Sequence, residues 1–143
     1  MQIAAVFTAV SADYEGDTLQ VRGGLWDGLQ TQTWPAEQRI TVVTLLRMRP
    51  QDVGVSHHVD VNVYGPDGGG AGHQHGDVVV NVHREQVPVV LTVPAVMSVA
   101  GVHRVVVSFP FGKSEVTFTL VGPDASPIQS AVGGYAFGLG QQR

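Results

Sequence analysis

Valine accounts for 27 of the 143 residues of this chain, and this excess restricts the fold more than any other feature. Branching at Cβ limits the side-chain rotamers of valine and suits a pleated, half-buried surface, so valine-rich segments favour strands over helices. The 18 glycines and 8 prolines supply turns between such segments. The sequence therefore predicts an all-β protein built from short strands.

Apolar and polar residues alternate in most of the valine-rich segments, which is typical of strands with one buried face. Residues 39–48 are apolar on both faces, so we expect that strand to be covered on both sides. Pro88 and Pro94 place their strand at an edge or a bend. About eight strands result, over residues 3–12, 18–22, 39–48, 55–64, 77–83, 87–93, 101–109 and 113–121.

Evenly spaced strands separated by turn signals are typical of an antiparallel two-sheet sandwich. We predict an immunoglobulin-like sandwich over residues 1–122, without the Cys-Trp-Cys pattern of true immunoglobulin domains. A closed barrel is the alternative, because the sequence does not say whether the sheet edges meet.

The remaining residues, 123–143, form a glycine-rich tail with hardly any charge. Tails of this kind are usually disordered, which is one alternative for this one. It nevertheless carries five large apolar side chains, at Ile128, Val132, Tyr135, Phe137 and Leu139. We therefore expect the tail to dock on its own domain or on a neighbouring subunit.

Charge and composition disfavour several classes of protein. A net charge of −4 and a pI near 5.8 argue against a nucleic-acid-binding surface. No apolar run approaches the ~20 residues of a membrane helix. The absence of cysteine excludes a disulfide framework and a cysteine nucleophile. Residues 1–12 lack the basic start of a signal peptide, so we interpret them as a buried strand and expect a cytoplasmic protein.

Two segments carry a recognisable pattern: Ala12-Asp13-Tyr14, Gly16 and Leu19 followed by Gly23-Gly24-Leu25-Trp26-Asp27, and later Ala100-Gly101-Val102-His103-Arg104-Val105. They resemble the start and a late strand of a family of small bacterial β-sandwich domains of unknown function. The resemblance covers about the first thirty residues and that late strand. It implies a fold and no known reaction, so no catalytic residue is carried over.

The run around Trp26 allows two interpretations. The glycines permit a tight turn and Asp27 can cap it, so the run could form a corner that ties the first hairpin to the core. Alternatively, Trp26, Asp27 and Asp13 form a binding rim for a ligand or partner. Tyr135 and Phe137 of the tail are further candidate contact residues.

Histidines form the one cluster that could bind a metal. His73 and His75 lie in the glycine-rich segment 65–76, which we interpret as a long loop, between strands that carry His58 and His83. Imidazoles with a nearby carboxylate suit Zn²⁺, Ni²⁺ or Cu²⁺. The spacing matches no established ligand signature, so we interpret these residues as incidental surface histidines and expect no cofactor, and a metal site is the alternative.

Catalytic patterns find little support, because no serine stands in a nucleophile elbow and no pair of carboxylates is suitably spaced. We therefore predict a non-enzymatic interaction or structural protein that self-associates, whose partner is itself or another protein. A ligand-binding module that uses the Trp26–Asp27 rim is the alternative. A metal-dependent enzyme at the histidines ranks third.

Overall fold

The computed structural model describes residues 1–16 and 18–123, and within them the protein is all-β, as the valine content predicts. One 3-10 turn, Pro50–Asp52, interrupts the strands. The described part of the chain contains no helix long and apolar enough to cross a membrane. The strands are β1 (Gln2–Ala9), β2 (Ser11–Glu15), β3 (Thr18–Arg22), β4 (Gly28–Gln30), β5 (Ala36–Arg47), β6 (His57–Tyr64), β7 (Gly70–Val78), β8 (Gln86–Met97), β9 (Gly101–Phe109) and β10 (Gly112–Val121).

Eight of these strands form one curled sheet in the order β1-β5-β8-β7-β6-β9-β10-β4, and β2 and β3 form a separate hairpin. The sheet is mixed, because β4 pairs parallel with β10 and places Leu29 opposite Leu120. The expectation of antiparallel pairing throughout is wrong at this position. The immunoglobulin-like arrangement of two packed sheets stays a prediction.

Hydrogen bonds link the two ends of the curled sheet. The Leu25 amide donates to the carbonyl of Thr8 on β1 at 2.7 Å, and the Thr8 hydroxyl donates to the carbonyl of Trp26 at 2.7 Å. Trp26 leads directly into β4, so the segment before β4 lies against β1. The Thr8 carbonyl on the outer side of β1 therefore has a partner within the molecule.

The curl encloses an apolar core. Trp26 lies within it and packs edge-to-face on Phe118, with ring centroids 5.3 Å apart. Val42 and Val43 are both fully buried although they point to opposite faces of β5, which confirms the expected cover on both sides. The core side chains with the largest volume and almost no exposure are Phe118, Ile40, Leu46, Met97 and Leu120.

An ion pair fixes the 3-10 turn beside β1. Asp52 is buried and accepts hydrogen bonds from the Arg49 backbone and guanidinium, and the Met1 ammonium lies 2.8 Å from its Oδ2. These donors stabilise the carboxylate and hold the pKa of Asp52 well below its usual value.

The strand boundaries differ from the predicted ones at several positions. The strand predicted over residues 77–83 ends at Val78, and β4 has no counterpart among the predicted strands. The predicted first strand, residues 3–12, breaks at Val10: β1 pairs with β5, while β2 forms the hairpin with β3. The predicted loop over residues 65–76 is also wrong in its second half, because β7 begins at Gly70. The turn closes within residues 65–69, where the Gly65 amide donates to the Gly69 carbonyl. The tail beyond Pro123 lies outside the described residues.

Candidate functional site

Strands β7 and β8 are neighbours in the sheet, yet they pair at one end only. Their backbone register is Gly72 opposite Ala95, and it does not continue along the described strands. Continuing that register would place Val78 opposite Val89. Instead these two residues line opposite sides of a cleft of about 320 Å³. We call this feature the β7–β8 opening.

The opening has apolar walls. Val78, Val79 and Val80 form one side, residues 87–91 form the other, and Val59 contributes from β6. The carbonyl of Val80 accepts a hydrogen bond from the Gly54 amide at 2.8 Å, so the segment that follows β7 bonds to the residues after the 3-10 turn rather than to β8. This hydrogen bond holds the β7 side of the opening away from β8.

Tyr14 occupies the place where a neighbouring strand would bond to β8. Its hydroxyl donates to the Pro88 carbonyl at 2.7 Å and accepts from the Val90 amide at 3.3 Å. These two groups are ones that a paired strand would use in a regular ladder. The Tyr14 side chain is 57% exposed and comes from the separate β2–β3 hairpin. One hydroxyl thus substitutes for a strand at this point.

The prolines of β8 face this open side. Because backbone groups alternate in direction along a strand, Pro88, Val90, Thr92 and Pro94 all present theirs away from β5. The missing N–H groups of Pro88 and Pro94 therefore cost no hydrogen bond with β5. The sequence predicted an edge position for these prolines. In the structure β8 lies between β5 and β7, but the side that carries the prolines is largely unpaired, as an edge would be.

Histidine and aspartate side chains cover the outer face of β6 and β7 beside the opening. The His58 Nδ1 lies 3.2 Å from an Asp77 oxygen, and its Nε2 lies 3.3 Å from an Asp60 oxygen. The His73 Nε2 lies 3.2 Å from the other Asp60 oxygen. The His75 ring contacts both, with centroids 5.7 Å from His58 and 5.6 Å from His73.

This chain of contacts favours a protonated imidazole. A neutral imidazole has one N–H, so His58 can donate to both Asp77 and Asp60 only when it is charged. The hydrogen bond to Asp77 is the main cause that raises the pKa of His58, and the charge of Asp60 adds to it. The hydrogen bond from His73 is the main cause that lowers the pKa of Asp60. The cluster is therefore a network of exposed side chains joined by hydrogen bonds between imidazoles and carboxylates.

The structure brings three of the four proposed metal ligands together and leaves the fourth apart. His58, His73 and His75 share the β6–β7 face, whereas His83 lies exposed between β7 and β8 and not on the predicted strand. Among residues 1–16 and 18–123, no three potential ligands are grouped so that they could hold a metal ion. The carboxylates contact the ring nitrogens of His58 that a metal would need. Metal binding stays the alternative to incidental surface histidines.

Three of the other proposed contact residues lie in the described part of the chain. Trp26 is 5% exposed and packs on Phe118, so its ring is buried in the core. Asp27 is exposed and its backbone carbonyl accepts from the Thr119 amide. Asp13 lies on β2 opposite Gln20. Tyr135 and Phe137 lie outside the described residues.

Sequence reasoning did not identify the role of Tyr14, which lies 74 residues from its acceptor. The prolines of β8 were the one available signal, since they indicated an edge that something else had to cover. No protein-family model matches this chain, and no curated protein is significantly similar to it. The resemblance to a bacterial β-sandwich family therefore stays a prediction.

Proposed function

We propose that this protein is a non-enzymatic interaction protein that self-associates by accepting an extended polypeptide segment along the open side of β8. The observation that carries the proposal is the β7–β8 opening, where two adjacent strands pair only at Gly72 and Ala95. An unpaired strand side offers a row of backbone donors and acceptors to a further strand.

The chemistry of the opening suits a strand rather than a small polar ligand. Its walls are mostly valine, and Asp77 is the one charged side chain among the described residues that line it. Backbone hydrogen bonds to Val90 and Thr92 would supply affinity, while the apolar walls would bury alternate side chains. Both features match segments that are uncharged and rich in apolar residues.

The competing hydroxyl of Tyr14 also supports this function. It satisfies two backbone groups of β8 while the opening is free, which lowers the cost of leaving that side unpaired. Because Tyr14 is more than half exposed, it can leave the edge and exchange its hydrogen bonds for water. Pro88 and Pro94 lack N–H groups on the side of β8 that faces the opening, which limits pairing with unrelated strands.

A single charge at the opening tests the proposal. Val79 is 48% exposed on one wall, and Val79→Lys places an ammonium where an apolar strand would lie. Val102 on β9 is 53% exposed and away from the opening, so Val102→Lys is the matched control. We expect the protein and the control to dimerise with increasing concentration, and Val79→Lys to remain at the chain mass of 15.2 kDa.

Light scattering after size exclusion measures these masses. A parent protein that is monomeric at every concentration overturns the proposal outright. If Val79→Lys dimerises as well as the control, the protein associates through a different surface and the β7–β8 opening has no part in it.

A further inference from the structure

We propose that the segment received by the β7–β8 opening is residues 135–139 of a second copy of this chain. This inference rests on the proposed function and names its partner. The segment belongs to the tail that continues from Pro123, and its sequence is Tyr-Ala-Phe-Gly-Leu.

The tail segment has the pattern of an inserted strand. Tyr135, Phe137 and Leu139 alternate with Ala136 and Gly138, so an extended segment places the large apolar side chains on one face and the small ones on the other. The large face can pack on Val89 and Val78, whose side chains point to the core side of the opening. Small residues on the opposite face reduce crowding beside the exposed wall.

The near absence of charge on both surfaces also supports docking of the tail segment in the opening. Asp124 and Arg143 are the charged residues of the tail, and the eighteen residues between them carry none. The opening has one charged side chain among its described lining residues, Asp77, and that carboxylate already faces His58. Neither surface therefore leaves an unpaired charge in the interface, which would oppose association.

The length of the tail is compatible with docking on the same chain or on a second copy. One row of paired residues crosses the sheet from β8 to β10: Ala95, Gly72, Val63, Val105 and Val116. Val121 lies five residues beyond this row at one end of the sheet. Val89 lies six residues beyond it at the opposite end. The two residues are therefore about 36 Å apart along the strands, at ~3.3 Å per residue.

Sixteen residues separate Val121 from Phe137, and a fully extended chain of that length spans about 53 Å. The tail can therefore reach Val89 of its own chain as well as Val89 of a neighbouring copy. The choice of a second copy rests on the self-association proposed above, and cross-linking separates the two arrangements.

Binding replaces one set of hydrogen bonds by another. The backbone of the incoming segment takes the Pro88 carbonyl and the Val90 amide from the Tyr14 hydroxyl, and it reaches the Thr92 groups on the same side. Tyr14 then turns to solvent. No covalent step is involved.

The absence of cysteine makes the contact directly testable. Full-length Val79→Cys is mixed with full-length Ala136→Cys under mild oxidation, and Val102→Cys mixed with Ala136→Cys is the control. We expect about tenfold more linked heterodimer than in the control, because docking raises the local concentration of one thiol at the other. Mass spectrometry identifies the linked peptides.

A second comparison uses the oligomeric state. Phe137→Asp places a charge in the inserted segment, whereas Gln141→Asp places the same charge beyond it. We expect Phe137→Asp to abolish dimerisation and Gln141→Asp to preserve it.

The outcomes separate this inference from the proposed function. If Val79→Lys abolishes dimerisation while neither cross-linking nor Phe137→Asp has an effect, self-association at the opening holds and another segment occupies it. If linkage forms only within a chain that carries both Val79→Cys and Ala136→Cys, the tail occupies its own opening and the inference is wrong. A parent protein that never dimerises overturns both.

Discussion

At the scale of single residues, Gly72 has the tightest steric requirement. A Cβ built at this position would lie 2.5 Å from the Pro94 carbonyl oxygen and 3.1 Å from the Ala95 Cα. Both are backbone atoms, so neither can rotate away. The one pairing between β7 and β8 therefore depends on the absence of a side chain at Gly72.

We expect Gly72→Ala to lower the free energy of unfolding by roughly 1–3 kcal/mol, because the added methyl group forces the two strands apart. Gly70→Ala is the control on the same strand, since nothing lies within 4 Å of its added Cβ. Urea unfolding measures both. Equal stability of the two variants would show that the strands separate there without cost.

The hydrogen bond to Asp77 raises the pKa of the neighbouring His58. We expect Asp77→Asn to lower the pKa of His58 toward the ordinary value of 6.5, because the hydrogen bond to Asp77 is the main cause of its raised pKa. Asp67→Asn changes a carboxylate in the turn before β7 and is the control. A histidine NMR titration reads the pKa directly, and an unchanged value in Asp77→Asn would contradict the hydrogen-bond assignment.

The raised pKa of His58 determines how its contribution to the free energy of unfolding depends on pH. A pKa that is raised on folding stabilises the folded state below the unfolded pKa, and the contribution is lost as pH rises through the folded value. The contribution of His58 is therefore complete on the acid side of 6.5 and disappears on the alkaline side of its folded pKa. Asp77→Asn should weaken this dependence, while Asp67→Asn should preserve it.

At the scale of elements, Tyr14 connects the β2–β3 hairpin to β8. We expect Tyr14→Phe to cost about 1 kcal/mol of unfolding free energy through the lost hydroxyl contacts. The same variant should dimerise at a lower concentration, because the competitor for the Pro88 carbonyl and the Val90 amide is gone. Chemical unfolding and light scattering measure the two effects, and weaker dimerisation would show that Tyr14 assists rather than competes.

Alternation of apolar residues predicted the strands that have one face in the core. Residues 101–109 and 113–121 form the hairpin β9–β10 as expected, with Val105 opposite Val116. The start of β7 lacks this signal, because glycine and histidine fill it. It is a strand through its register with β6, which tertiary pairing provides and local sequence does not.

The candidate site was predictable only in parts. The sequence indicated that histidines of neighbouring strands lie close together and that Pro88 lies at an edge, since both inferences need only neighbouring strands. It could not show that β8 parts from β7 after one pairing, because that depends on contacts between distant residues. Burial of Trp26 against Phe118 is likewise a long-range contact, which local sequence patterns do not contain.

At the scale of the whole molecule, the segment before β4 covers one end of β1, and β7 and β8 leave a gap inside the sheet. The Thr8 carbonyl is taken by Leu25, and β4 runs parallel to β10 in the same region. Under the proposed function, an added strand would therefore enter at the β7–β8 opening. Two copies that exchange tails reciprocally would fill both openings and close as a dimer, which limits further growth.

The two tryptophans of the chain both lie near the end of β10. Trp26 packs on Phe118, and the Trp34 ring lies 2.7 Å from where a Cβ on Gly122 would be. Neither ring lines the β7–β8 opening. Intrinsic tryptophan fluorescence therefore reports on the closure of the sheet around β10. We expect it to change little when a segment enters the β7–β8 opening.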